Sequence, residues 1–145
     1  MNARWREKRF GSMKLLDRPE VMAWWALSRS DWRVAHVVAE LEPPEWHLVC
    51  FLAQQAAEKA LKALMESRDM PVPRTHDLRV IAERLGAGED ADRVVDAAIT
   101  LSVYGVGPRY PHAGGEATEV QARAALAAAR VVCDWSEVAL GAGGT

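Results

Sequence analysis

The chain has 145 residues, 50% of them hydrophobic and 26% charged, with a formal net charge of -2. That length favours one domain whose core needs no disulfide or metal, and the apolar share excludes a disordered chain. A charge so near zero excludes a broad electrostatic grip on DNA or a membrane, though not a local basic patch.

Residues 1–16 carry Arg4, Arg6, Lys8 and Arg9 with no apolar stretch behind them. This reads as a flexible basic arm rather than a secretory signal, with an RNA-contacting arm as the sharper alternative. No apolar run reaches the roughly 18 residues needed to cross a bilayer, and the expected location is cytoplasmic. Cys50 and Cys133 lie far apart in helical surroundings and read as buried free thiols; their spacing does not suit a zinc site.

Residues 17–140 show helical periodicity throughout and no clean strand alternation. The first helix is expected to start near Asp17, where Asp17 and Glu20 make a capping-box pattern and Pro19 suits the first turn. Val21, Trp24, Trp25, Ser28, Trp32, Ala35 and Val38 form its inner face, with Arg29, Asp31, Arg33 and Glu40 on the wetter side. Trp24 and Trp25 sit about 100° apart, so one belongs to the core and the other to a rim or dimer interface. Pro43-Pro44 separates this helix from a second over about Glu45 to Ser67. Its apolar set is Leu48, Phe51, Leu52, Ala56, Ala60, Leu64 and Met65, and Gln54, Gln55, Glu58, Lys59, Lys62 and Glu66 make a polar stripe.

A Pro-rich loop leads to a short helix capped by Thr75 or Asp77, carrying Leu78, Ile81, Ala82 and Leu85, and stopped at Gly86. Asp90 is expected to cap a fourth helix with Val94, Val95, Ala98, Ile99 and Leu101 inward. Gly105, Gly107, Pro108, Pro111 and Gly114-Gly115 break it. Thr118 with Gln121 starts the last helix, expected to bury Val120, Ala124, Ala127, Ala128, Val131, Trp135 and Val138, and residues 141–145 read as a tail. The fold class is therefore all-α, an up-and-down bundle of about five helices. Six of the ten aromatic residues are Trp, and their positions make the first and last helices the walls of an aromatic core.

The segment from Val103 to His112 gathers a cation, a phenol and an imidazole in one inter-helix break. Arg109 suits phosphate, Tyr110 a base or a hydrogen bond, and His112 proton transfer. The plainer reading is a rigid connector. His36, His47 and His76 read first as structural or surface residues.

Three blocks nevertheless resemble one family. They are Trp25 with Ser30-Asp31-Trp32-Arg33-Val34-Ala35; Cys50-Phe51-Leu52-Ala53-Gln54-Gln55-Ala56-Ala57-Glu58-Lys59-Ala60-Leu61-Lys62-Ala63; and His76-Asp77-Leu78 followed by Arg109-Tyr110-Pro111. In this order and combination they resemble the HEPN domain (higher eukaryotes and prokaryotes nucleotide-binding). The resemblance implies a helical bundle, a homodimer, and in prokaryotes pairing with a minimal nucleotidyltransferase in a toxin–antitoxin-like system. Many members are metal-independent RNases with an Arg followed four to six residues later by a His. Here His112 follows Arg109 by three residues, with Pro111 between them. The Arg-Tyr-Pro form is more similar to the nucleotidyltransferase-associated subgroup.

The expected function is thus a nucleotide-binding or nucleotidyltransferase-partner module, with Arg109, Tyr110, Gln55, Lys59, Lys62 and His76 as binding residues. The alternatives are a metal-independent RNase toxin using Arg109 and His112, and an interaction protein without ligand. No cofactor or metal is implied.

Overall fold

The computed structural model describes residues 18–86, 88–104 and 117–143. Five α-helices account for most of them: α1 (Pro19–Ala39), α2 (Trp46–Ser67), α3 (Leu78–Leu85), α4 (Ala91–Ser102) and α5 (Glu119–Gly143). A 3-10 turn, Gly88–Asp90, precedes α4, and no strand occurs among the described residues. The all-α bundle expected from periodicity is the observed architecture.

Helix α2 is the hub. It packs against α1 on one side and α5 on another; α5 also meets α4, and α4 meets α3. Ala53, Ala56, Ala57, Ala60 and Ala63 are all buried, and such small side chains let neighbouring helices approach closely. Burial extends around α2 to Leu61, Leu64, Met65 and, unexpectedly, to Gln54, Glu58 and Lys62 of the polar stripe. Leu48, Phe51 and Leu52, expected inside, are only half-buried, while Val49, Cys50 and Ala53 on the adjoining face of the same turns are buried.

The ends of the helices follow capping chemistry, with exceptions at the starts of α1, α2 and α4, whose N-cap side chains make no cap bond. Arg18 holds the N-cap position of α1 without a side-chain cap bond, so the helix begins after the expected Asp17; Asp17 itself lies outside the described residues. Arg18 instead reaches the end of α2, donating to the carbonyls of Ser67 at 3.1 Å and Glu66 at 3.0 Å and pairing with Asp69 at 2.9 Å. A guanidinium there answers both the orphan carbonyls and the negative end of the helix dipole. Arg68 does the same for α3, donating to the Leu85 carbonyl at 2.6 Å. Asp77 caps α3 by accepting from Arg79 N, and Gly86 ends it at a φ of 64°. Asp90 precedes α4 without a side-chain cap bond. The Thr118–Gln121 box forms reciprocally, at 2.9 and 3.1 Å.

Two expected inner faces turn out differently. In α4, Ala97 is buried and Ile99 is 49% exposed. In α5, the buried set is Ala122, Ala125, Leu126, Ala128, Ala129, Val132, Cys133 and Leu140, whereas Val120 and Val138 are 79% and 69% exposed. The helix carries two apolar stripes, and the more β-branched one faces outward. Helix α5 also runs to Gly143, past the break expected at Gly141.

Of the tryptophans, Trp25 is buried; Trp24, Trp32, Trp46 and Trp135 are half-buried and pack around a core of Ala, Leu and Val. The adjacent pair therefore divides as expected, but the core is not aromatic. The walls also differ: α1 and α5 meet through Ser28, whose Oγ donates to the Ala56 carbonyl at 2.6 Å and lies 4.0 Å from Cys133 Sγ. Arg29, expected on the wetter side, is buried; it donates to Ser28 Oγ at 3.0 Å and lies over the Trp25 ring at 4.7 Å. A guanidinium can be taken in this way because stacking and hydrogen bonding replace its hydration.

Leu140→Ala should lower unfolding free energy by about 2–5 kcal/mol, whereas Ile99→Ala should change it by no more than about 0.5 kcal/mol. Urea unfolding of the two variants checks the observed phase of α4 and α5.

Candidate functional site

The polar stripe of α2 becomes a network rather than a solvated face. Gln54, Glu58 and Lys62 fall four residues apart and share one side of the helix. Glu58 is buried, and its carboxylate is met from three directions. Gln54 Nε2 donates to Oε1 at 3.1 Å, His76 Nδ1 lies 2.8 Å from the same oxygen, and Lys62 Nζ bonds Oε2 at 3.2 Å. Lys62 also sits 5.4 Å from the centre of the Trp24 ring. Gln54 is fixed in turn by Gln55, which donates to its Oε1 at 2.7 Å. A carboxylate removed from water is tolerable only with such partners.

His76 lies in the loop before α3. Its side chain is 55% exposed while that of Glu58 is 4% exposed, so a buried anion holds one edge of an open ring. Since a carboxylate accepts, Nδ1 carries the proton and Nε2 is the ring's other polar atom. The next residue, Asp77, caps α3, and Leu78 N donates to Ser102 Oγ at 3.0 Å. Helix α4 thus ends against the His76 loop. Tyr104, two residues further, is half-buried and packs against the core that holds Cys50 of α2.

The remaining binding candidates are placed as follows. Lys59 is paired with Asp31 of α1 at 2.5 Å, both side chains being about one-fifth exposed. Gln55 is half-buried on Gln54. Arg109, Tyr110 and His112 lie outside the described residues. His36 keeps Nδ1 3.0 Å from the Trp32 carbonyl, and His47 is near Glu45 at 3.7 Å; neither joins the network. Sequence reasoning placed Glu58 among exposed stripe residues. The cue that it does more was its four-residue spacing to both Gln54 and Lys62. Among the described residues, no group of three His, Cys, Asp or Glu side chains could hold a metal ion. No helix there is long and apolar enough to cross a membrane.

Burial pushes the thiols of Cys50 and Cys133 above their ordinary value of 9.0, against the lowering effects of Tyr104 on the first and Arg29 on the second. Tyr104 is raised above 10.0 mainly by its own burial, then by Cys50. These groups bind protons more tightly folded than unfolded. Their contribution to stability is therefore complete below the unfolded values and is lost as pH rises through the higher folded values. Unfolding free energy should fall in alkaline solution, and Cys133→Ala should flatten that fall; urea titrations at stepped pH measure both. A slope unchanged by Cys133→Ala would count against the assignment.

Glu58→Ala leaves Lys62 buried without its counter-charge and should cost about 3–5 kcal/mol. Lys62→Met, which keeps the stem, should cost clearly less. Thermal and urea unfolding of the two variants decide the order.

Comparison with known proteins gives the family and the fold. The family model of the HEPN domain matches residues 22–139. The solved structure of TT1696 from Thermus thermophilus is similar at a TM-score of 0.69 and 30% identity, over 82% of this chain and 97% of that one. That of ST0689, described as an archaeal HEPN homologue, is similar at a TM-score of 0.65 and 26% identity, over 83% and 97%. No curated protein matches the sequence significantly. The match spans α1 to α5 and includes the Gln54–Glu58–Lys62 helix and His76, and the chain belongs to the HEPN domain family.

Proposed function

We propose that the chain is a nucleotide-binding or nucleotidyltransferase-partner module of a prokaryotic toxin–antitoxin-like pair, working as a homodimer. The observation that carries this reading is the open imidazole of His76 braced on the buried Glu58, next to the end of α4. The family resemblance singles out Arg109 and Tyr110. Arg109 and Tyr110 are then the cation and the ring of the site, and His76 its polar edge. Lys59 and Lys62 are already paired with carboxylates, so they position the network and take little direct part in gripping a phosphate.

A protein partner is supported separately by α5. Val120, Ala124, Ala127, Val131, Asp134 and Val138 recur at alternating four- and three-residue steps, the spacing of a coiled-coil seam about 27 Å long. All but the half-buried Val131 are exposed. An outward stripe of Val and Ala, interrupted at Asp134 where the carboxylate pairs with Arg130, suits a symmetric contact with a second copy.

Calorimetry with purified protein should detect a nucleotide, and a small nucleotidyltransferase encoded beside this chain should co-purify with it. Absence of both would reject the reading. RNA cleavage that disappears in Arg109→Ala and in His112→Ala would replace it with the RNase reading. Sedimentation should show a dimer at micromolar concentration that Val120→Glu with Val138→Glu turns into a folded monomer.

A further inference from the structure

The charges around His76 nearly cancel, and what is left over points to a ligand. Glu58 is matched by Lys62, and Asp31 by Lys59. Asp77 caps Arg79 N and lies 3.8 Å from the Arg79 guanidinium, which also pairs with Glu83. The first amides of α3 are taken as well, Leu78 N by Ser102 and Arg79 N by Asp77. The helix N-terminus therefore has little left for an anion. Arg74 is exposed and makes no ion pair with a described residue. It stands two residues before His76, so the two Cα atoms are at most about 7 Å apart.

We propose that Arg74 and His76 form a phosphate-contacting pair built on the buried carboxylate of Glu58, and that the ligand is the phosphate monoester of a mononucleotide. The inference rests on the nucleotide-binding reading above and locates one contact of it. Glu58 fixes the ring by its Nδ1 edge, which leaves Nε2 as the ring nitrogen free to meet a ligand on a side chain that is 55% exposed. In the charged ring both nitrogens donate, one to Glu58 and one outward to a phosphate oxygen. Arg74 supplies a planar fork for two further oxygens. One fixed and one acquired positive charge match a dianionic monoester better than the single charge of a diester. Glu58 acts through His76 and is a positioning residue.

The test follows the His76 ring in proton–nitrogen spectra at constant pH while inorganic phosphate, AMP, or an oligoribonucleotide without terminal phosphate is added. The ring signals should move and saturate with phosphate and AMP, and move little with the oligonucleotide. Arg74→Ala, an exposed change that leaves the core untouched, should weaken AMP binding about tenfold, the equivalent of ~1.4 kcal/mol. Glu58→Gln should shift the ring before any ligand is added. A ring unmoved by about 10 mM phosphate and AMP, or moved equally in Arg74→Ala, would overturn the proposal. AMP binding that depends on Arg109 while the His76 ring stays still would defeat this site and leave the wider reading intact. Phosphate that moves His76 with no nucleotide bound anywhere would keep the phosphate contact but overturn the mononucleotide assignment, and the wider reading with it.

Discussion

A carboxylate enclosed in a helical bundle must be answered by donors, and the arrangement around Glu58 is the constraint on which the rest of the molecule turns. Three side chains meet it: Gln54 and Lys62 from its own helix, and His76 from the loop ahead of α3. The first two follow from helical spacing alone. The third joins elements eighteen positions apart in the chain and sets where α3 begins. From there Ser102 accepts from Leu78 N and brings the end of α4 to the same place. A single buried charge thereby organises one end of the bundle.

The same economy appears elsewhere on α2. Its alanines let α1 and α5 come close, and the polar groups caught between them are satisfied locally. Ser28 donates to the Ala56 carbonyl, Arg29 bonds Ser28 and stacks on Trp25, and Lys59 meets Asp31. Arginines at two helix ends, Arg18 and Arg68, serve as C-terminal caps drawn from other parts of the chain. Apart from the buried Trp25, the described tryptophans border this core rather than fill it. The charged groups of Arg29, Lys62 and Arg123 lie over the rings of Trp25, Trp24 and Trp46, so these rings contribute as partners of cations as much as apolar bulk.

Features governed by local chemistry were legible from the sequence. The Asp77 cap, the Gly86 stop and the Thr118–Gln121 box each need only a few neighbouring residues, and each formed. Periodicity located all five helices, and the HEPN blocks pointed to the family. The failures share a different cause. Helix α5 has two apolar stripes, and pattern alone cannot tell which one meets α2; the buried one sets Ala122, Ala125 and Ala129 beside Leu126, Val132 and Leu140. Arg29 reads as polar until Trp25 and Ser28 are known to receive it. Gln54, Glu58 and Lys62 read as a wet stripe because their partners, His76 and Trp24, come from other elements. Of the candidate site, the residue types were evident and the pairing was not.

For function, this moves weight from a row of free lysines to an imidazole with a built-in brace. A HEPN domain whose α2 charges are internally matched has few cations to spend on non-specific contact. Recognition then falls to a small number of residues, which suits a module that binds one ligand or one partner. All of this depends on the coupling between Glu58 and His76. A double-mutant cycle with Glu58→Gln and His76→Ala, read by urea unfolding, measures that coupling directly. The two changes together should cost less than their sum, by at least about 0.5 kcal/mol. Additive losses would show that the imidazole does not lean on the buried carboxylate, and would contradict the braced site.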